Sequence, residues 1–287
     1  MYPNIFEYSC PDSLQDAISL LAVYQDEAKL LAGGQSLLSM MKLRLANPDT
    51  LIDLARIPGL SGIRQENDKI SIGAMTTYAQ IKGSQLLRSQ CPLLPQTASL
   101  VADAQVRNRG TIGGSLAHAE PAADLPAAMV ALEAEMKAVG PSGERWIKAE
   151  NFFVTMMTTE LALDEILTEI RVPITKGWRT AYLKNAPRPC DFAIVGIAAA
   201  VKLNRDGICE DIAIGVTGVS DKAYRPGHVE KTLRGKTLAL ETLDKAASEI
   251  AEGIDVNDSI HASKDFRSRI ARLYVVRAIV AATEGQK

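Results

Sequence analysis

The sequence predicts an α+β fold, and three observations carry that prediction. Helix-like and strand-like stretches follow one another in mixed order, without the strict alternation of a doubly wound sheet. Breaks at Ile57-Pro-Gly59 and Val172-Pro173 close two units and leave a third. The chain has 287 residues, 47% of them hydrophobic and 23% charged. That is an ordinary globular composition, long enough for two domains or three. The boundaries read as 1–57, 58–175 and 176–287.

The first unit reads as βαβ-like. Pro11-Asp-Ser13 supplies a helix N-cap, and Leu14, Ala17, Ile18 and Leu21 then fall on one helical face. Lys29–Leu31 is a short strand leading into a glycine turn, and Leu37–Arg44 is a helix that stops before Asn47-Pro48. Thr50–Leu54 is a buried strand. In the second unit, Ile63 and Lys69–Gly73 mark two strands joined by a polar turn at Glu66–Asp68. Thr76–Ile81 starts a helix, a second lies between Pro92 and Asp103, and a long glycine-rich loop follows. Ala122–Leu132 returns to helix, and Glu135–Val139 and Glu165–Arg171 are strands. The third unit holds a meander over Arg179–Leu183, Ala193–Leu203 and Ile208–Val219, then helices over Leu240–Glu252 and Lys264–Ala282.

Bulk properties exclude several classes of function. The formal net charge of −2 provides no global field for nucleic acid or anionic lipid. The first residues lack the basic and then apolar run of a signal peptide, and no apolar stretch is long enough to span a bilayer. The four cysteines (Cys10, Cys91, Cys190 and Cys209) contain no C-x-x-C pair, so neither a metal cluster nor a disulfide framework is indicated. A cytoplasmic protein is the expectation.

Two glycine turns stand out. Gly110, Gly113 and Gly114 lie beside Thr111 and Ser115, and Ala32-Gly-Gly-Gln-Ser-Leu37 lies upstream. Glycines admit positive φ and close backbone approach, and successive N–H groups in such turns can form an anion-binding concavity. Phosphate or pyrophosphate is the matching ligand. The spacing is not the G-x-G-x-x-G of a dinucleotide fold. Arg234-Gly-Lys-Thr237 is not a P-loop, because Glu230 stands where its first glycine belongs. The three histidines, His118, His228 and His261, lack metal-ligand spacing, and no G-x-S-x-G elbow is present. Asp124, at the start of a helix, is either an N-terminal charge favoured by the dipole or a cofactor hydrogen-bond partner.

Together these segments carry a resemblance. Ala32–Leu37, Thr111-Ile-Gly-Gly-Ser115 and Ala117-His-Ala-Glu-Pro-Ala-Ala-Asp-Leu-Pro126 are similar to the FAD-binding medium subunit of molybdenum hydroxylases, the family of carbon monoxide and xanthine dehydrogenases. The likeness continues through Glu165–Pro173 and Tyr182–Gly196, in order and at matching separations, across most of the chain. It implies a PCMH-type FAD fold of two α+β subdomains. A C-terminal domain of the flavoprotein type would follow, with a three-stranded sheet and helices.

The resemblance also implies a set of FAD contacts. Leu31, Ala32, Gly33, Gly34, Gln35, Ser36 and Leu37, with Thr111, Ile112, Gly113, Gly114 and Ser115, would meet the pyrophosphate and ribityl chain. Val101 would lie near the adenine, Leu167 near the ring, and Asp124 beside the flavin. Lys184 would stabilise a reduced, anionic flavin at its N1–C2 edge, although read from its strand alone it is a solvated charge. Phe192 would cover one face of the ring. His118 is a flavin contact or a structural hydrogen bond. Replacing Gly113 or Gly114 by Val is expected to abolish flavin retention, by blocking the backbone's approach to the ligand. One departure is Arg188-Pro189, where the family often has two basic residues.

The function implied is electron transfer. A large subunit would hydroxylate substrate at a molybdopterin centre, and a small subunit's [2Fe–2S] clusters would relay electrons to the FAD of this chain. An external acceptor would receive them: NAD, a quinone, oxygen or a carrier protein. The assembly expected is a heterohexamer, a dimer of heterotrimers. A chain of this kind needs no acid–base dyad of its own, which fits the sparse catalytic inventory. Two rivals are a self-sufficient FAD oxidase or reductase, marked by turnover without partners, and a cofactor-free scaffold, marked by a colourless preparation.

Overall fold

In a computed structural model describing residues 2–284, three main sheets succeed one another along the chain, with a separate two-stranded hairpin inserted before the last strand of the second. The first is parallel, with strand order β1-β3-β2, and comprises β1 (Glu7–Ser9), β2 (Ala28–Leu31) and β3 (Thr50–Asp53). Helix α1 (Leu14–Tyr24) connects β1 to β2, capped by Ser13, whose side chain accepts from the Asp16 N–H at 3.1 Å. Its buried Ala17, Ile18 and Leu21 pack with Ile52 and Leu54 in a small core. α2 (Leu37–Lys42) connects β2 to β3. The edge strand β1 is an addition to the sequence reading; three residues are too short to show a period.

The second sheet is antiparallel, ordered β4-β5-β10-β6-β7: β4 (Ile63–Glu66), β5 (Lys69–Gly73), β6 (Glu135–Gly140), β7 (Gly143–Lys148) and β10 (Ile166–Pro173). Asn67 takes φ 54° in the tight β4–β5 turn. Between β5 and β6 run α3 (Tyr78–Gly83), α4 (Gln85–Gln90), α5 (Leu93–Ser99), α6 (Ala104–Arg109), α7 (Ile112–His118) and α8 (Asp124–Ala131). α3 opens on a capping box of Thr77 and Gln80. The expected glycine loop is therefore two helices: Asp103 caps α6, and Thr111 caps α7. A short helix α9 (Ala149–Phe152) and the hairpin β8 (Phe153–Thr155) and β9 (Thr158–Thr159) precede β10.

The third sheet is the expected meander, β11 (Arg179–Asn185), β12 (Val195–Leu203) and β13 (Cys209–Thr217). One face carries α10 (Gly227–Leu233), α11 (Leu240–Ala247) and α12 (Lys264–Glu284), which share a core with Val195, Ile197, Ile214 and Val216. The other face meets α8, every residue of which is buried. That helix is apolar all round because it is enclosed on all sides. It brings Asp124, its first residue, to the junction of all three units.

Candidate functional site

A cleft of about 680 Å³ runs between the parallel sheet and the second sheet with its helices. Its walls are the β2–α2 turn, the start of α3, the α6–α7 region, the start of β10 and the Cys190–Phe192 segment. A β-bulge between Leu167 and Glu169 interrupts β10 where it reaches the cleft. Such bulges re-aim side chains beside sites. Here Leu167 lines the cleft, while the Thr168 carbonyl accepts from the Ala74 N–H at 2.9 Å.

The two glycine turns use their N–H groups in opposite ways. At the start of α7 every amide already has a partner. Ile112 donates to Thr76 O (3.0 Å), Gly113 to Ala74 O (2.8 Å), Gly114 to Thr111 Oγ1 (3.1 Å) and Ser115 to Thr111 O (3.1 Å). The amides of residues 112–115 therefore do not form the expected anion concavity, because two of them close the first turn of α7 and two tie it to the β5–α3 connection. In the β2–α2 turn, the N–H groups of Gly33, Gly34, Gln35 and Ser36 donate to no protein acceptor among the described residues, and all four residues line the cleft. Gly33, Gly34 and Ser36 are half-buried and Gln35 is exposed, so these donors are available to a ligand or to water.

Glycine is needed here for closeness more than for φ. Only Gly34 among the cleft glycines takes a positive φ (73°). A Cβ on Gly33 would overlap the Arg109 carbonyl oxygen and come within 2.8 Å of Gly110 Cα, so the turn rests directly on the α6–α7 junction. A Cβ on Gly113 would meet Ala74 Cβ at 2.5 Å. The expected reason for intolerance to valine at Gly113 is thereby corrected. The added side chain would strike the β5–α3 connection, not a ligand.

Of the residues singled out from sequence, three do not line the cleft. Leu31 lies in β2 beside the turn. Ile112 is fully buried and points into the core of the second unit. Lys184 is neither solvated nor a wall residue. Its side chain is 4% exposed, and its ammonium donates to Asp124 Oδ2 (3.1 Å), Leu100 O (2.7 Å) and Asp191 O (3.0 Å), which uses all three donors. Tyr182, two residues earlier on the same face of β11, donates its hydroxyl to Asp124 Oδ1 at 2.6 Å. Asp124 does reach the cleft, with both oxygens held from behind.

Burial drives the electrostatics. It pushes the Asp124 carboxyl above its ordinary range, against the opposing pull of the Lys184 ammonium and the Tyr182 hydroxyl. It pushes the Tyr182 hydroxyl well up, reinforced by the Asp124 charge. Half-buried His118 is pushed below the ordinary histidine value, with Glu120 pulling the other way. His118 and Glu120 both line the cleft.

Several wall residues escaped the sequence reading. Tyr78 and Val106 join Val101, Lys29 adds a permanent positive charge to the wall, and Met157 and Leu163 contribute apolar rim beside Phe192, itself 60% exposed. Lys29 alternates out of a short strand like any surface lysine, and the β8–β9 hairpin has no sequence period to betray it. Away from the cleft, His228, Glu249 and Glu252 on the C-terminal unit bring ligand atoms within 4.8 Å of one another. That convergence joins α10 to the turn after α11 and is invisible to linear spacing. Among the described residues, no helix is long and apolar enough to cross a membrane.

Comparison with known proteins agrees with the geometry. Residues 4–175 match the model described as "FAD binding domain in molybdopterin dehydrogenase", and residues 181–282 match "CO dehydrogenase flavoprotein C-terminal domain". The chain is 40% identical over 283 residues to the carbon monoxide dehydrogenase medium chain of Hydrogenophaga pseudoflava, covering 98% of each. It is 36% identical to subunit alpha of the 6-hydroxypseudooxynicotine dehydrogenase complex of Paenarthrobacter nicotinovorans, covering 98% of this chain and 96% of that one. A solved carbon monoxide dehydrogenase structure from Hydrogenophaga pseudoflava superposes with a TM-score of 0.96 over 99% of both chains.

Proposed function

The chain belongs to the family of FAD-binding medium subunits of molybdenum hydroxylases, and on that premise we propose that it is the electron-transfer subunit of a heterotrimer, holding FAD non-covalently in this cleft. FAD supplies the redox chemistry when bound; the protein supplies binding, orientation and electrostatics. The observation that carries the reading is the row of unpartnered N–H groups at Gly33–Ser36, which suits a pyrophosphate. The volume lies in the range of cofactor pockets.

Each wall then has a distinct task. Gly33, Gly34, Gln35 and Ser36 bind the pyrophosphate through the main chain. Thr111, Ser115 and His118 lie on the α7 side and would offer polar atoms to the cofactor's chain, while Gly113 and Gly114 let α7 pack closely enough to form that wall. Val101, with Tyr78, offers apolar surface to the adenine. Asp124, fixed by Tyr182 and Lys184, presents one polar group to the flavin ring, with Leu167 and Phe192 as its apolar neighbours. Lys184 acts through Asp124 and keeps the carboxylate charged and still, which is electrostatic preorganisation at one remove.

In the assembly, this chain receives electrons from [2Fe–2S] clusters in a small subunit. They originate from hydroxylation at a molybdopterin centre in a large subunit, and leave for an external acceptor. We take residues 1–57 and 58–175 as the two FAD subdomains and 176–287 as the C-terminal domain, in a cytoplasmic dimer of heterotrimers. The test is a visible spectrum of the protein purified with its co-purifying subunits, with acid-released flavin identified chromatographically. FAD near one per chain is expected; FMN, or no flavin in a folded preparation, overturns the reading.

A further inference from the structure

Arg267, in the first turns of α12, is only 7% exposed, yet every partner it has is neutral. Its Nη1 donates to Ile194 O (2.8 Å) and Gly218 O (2.7 Å), and its Nη2 to Ser259 Oγ (2.8 Å). Its Nε, also buried, has no partner. The Asp258 charge favours the guanidinium from a distance, but among the described residues no carboxylate pairs with it directly, and an apolar side chain of similar volume would be cheaper to bury than a cation left without a direct counter-ion. What the guanidinium provides in exchange is geometry, because its planar fork spans acceptors on separate segments.

The two carbonyls it holds are not arbitrary. Ile194 immediately precedes β12 and Gly218 immediately follows β13, at the paired end of the two strands, where Gly196 faces Thr217. From that same end, three donors reach across to the loop before α8. Ala193 N donates to Ala122 O (3.1 Å), Gly218 N to Pro121 O (2.8 Å), and Thr217 Oγ1 to Pro121 O (2.6 Å) and Ala123 O (2.8 Å). The next residue is Asp124. Arg267 thus grips one side of the two peptide segments whose other side grips the Asp124 loop, and Phe192 sits one residue from this junction.

We propose that Arg267 is a positioning residue for the cofactor cleft. From the C-terminal domain it fixes the 193–194 and 217–218 segments, and through them the 121–124 loop and the Cys190–Phe192 wall. This deepens the cofactor reading and rests on it for the identity of the ligand. It assigns the C-terminal domain a share in shaping a cleft to which its sheet and helices contribute no wall residue.

The experiment is hydrogen exchange on the full chain without FAD, followed by FAD titration of the same samples, for wild type, Arg267→Lys and Thr217→Val. Lysine keeps the charge but cannot span three acceptors; valine keeps the volume but removes the far end of the link. Peptides covering 119–124 and 190–194 are expected to exchange roughly tenfold faster or more in both variants, as a locally loosened unit does. Exchange in β6 and β7 should be unchanged, and FAD affinity should fall by a similar factor. A merely structural arginine would raise exchange in α12 and the meander, leaving 119–124 and FAD affinity at wild-type values; that result overturns the proposal. If Arg267→Lys does not fold, Thr217→Val decides alone, and wild-type exchange at 119–124 refutes the link. Exchange is read before any cofactor is added. A wild type that binds no FAD therefore refutes the cofactor reading, whereas unchanged exchange refutes the positioning role.

Discussion

Lys184→Met isolates the energetics of the buried pair behind the cleft. Both side chains are almost wholly out of water, at 4% and 5% exposure, so removing the cation leaves the Asp124 carboxylate without its charged partner. Breaking a buried pair from one side costs about 3–5 kcal/mol. The hydrogen-bond inventory gives a similar figure. Three bonds from a charged donor are lost, to Asp124, Leu100 O and Asp191 O, each contributing about 1.5 kcal/mol or more. At about 2–3 °C per kcal/mol for a chain of this size, the melting midpoint of the FAD-free protein should fall by roughly 6–15 °C. Adding Asp124→Asn to the same chain should return a substantial part of that loss, because the stranded charge is gone. The assay is a thermal melt of wild type, both single variants and the double variant, with the coupling taken from the cycle. A Lys184→Met midpoint within a degree or two of wild type would refute the argument, since that is how a solvated surface lysine behaves.

Two other perturbations test the cleft directly. Gly33→Ala places a methyl against the Arg109 carbonyl and Gly110 Cα, which wedges the β2–α2 turn off the α6–α7 junction. FAD affinity measured by flavin fluorescence should fall at least ~10-fold, by the cost of overpacking, whereas wild-type affinity would show that the turn does not rest there. His118, held below its ordinary value of 6.5 by burial, is neutral in the fold and binds its proton more readily when unfolded. Its contribution to stability is therefore complete above about that pH and is lost as the pH falls through 6.5 toward its folded value. Midpoints from pH 8 down to 5 should decline less steeply in His118→Gln; parallel curves would remove His118 from the account.

Much of the fold was legible because the sequence marks its starts. Ser13 caps α1 as its pattern indicates, the helix expected from Thr76 is α3, and the β4–β5 turn and the C-terminal meander follow from period and turn residues. Where the reading failed, local preference was overruled by neighbours far along the chain. α7 contains two consecutive glycines, a sequence that disfavours helix by about 1 kcal/mol per residue. It is helical because Thr111 caps it and Gly113 seats against Ala74. α4 and α6 are single-turn pieces, too short to carry a period. Both glycine turns read alike as ligand loops, because nothing in the sequence distinguishes N–H groups left without a protein acceptor, as in the β2–α2 turn, from the engaged ones of α7. Lys184 reads as a surface charge because its partners come from residues 100, 124 and 191.

The contrast between the two glycine turns has a consequence for how the chain matures. Four donors left without a protein acceptor are served by mobile water until a ligand accepts from them, so an occupant replaces that water with fixed partners and ties the order of the turn to binding. Binding of that kind is linked to stability: a ligand at 100 times its dissociation constant adds about 2.7 kcal/mol. Chains that have acquired cofactor would then be distinguished from empty ones by the rigidity of a surface turn, well before any electron moves.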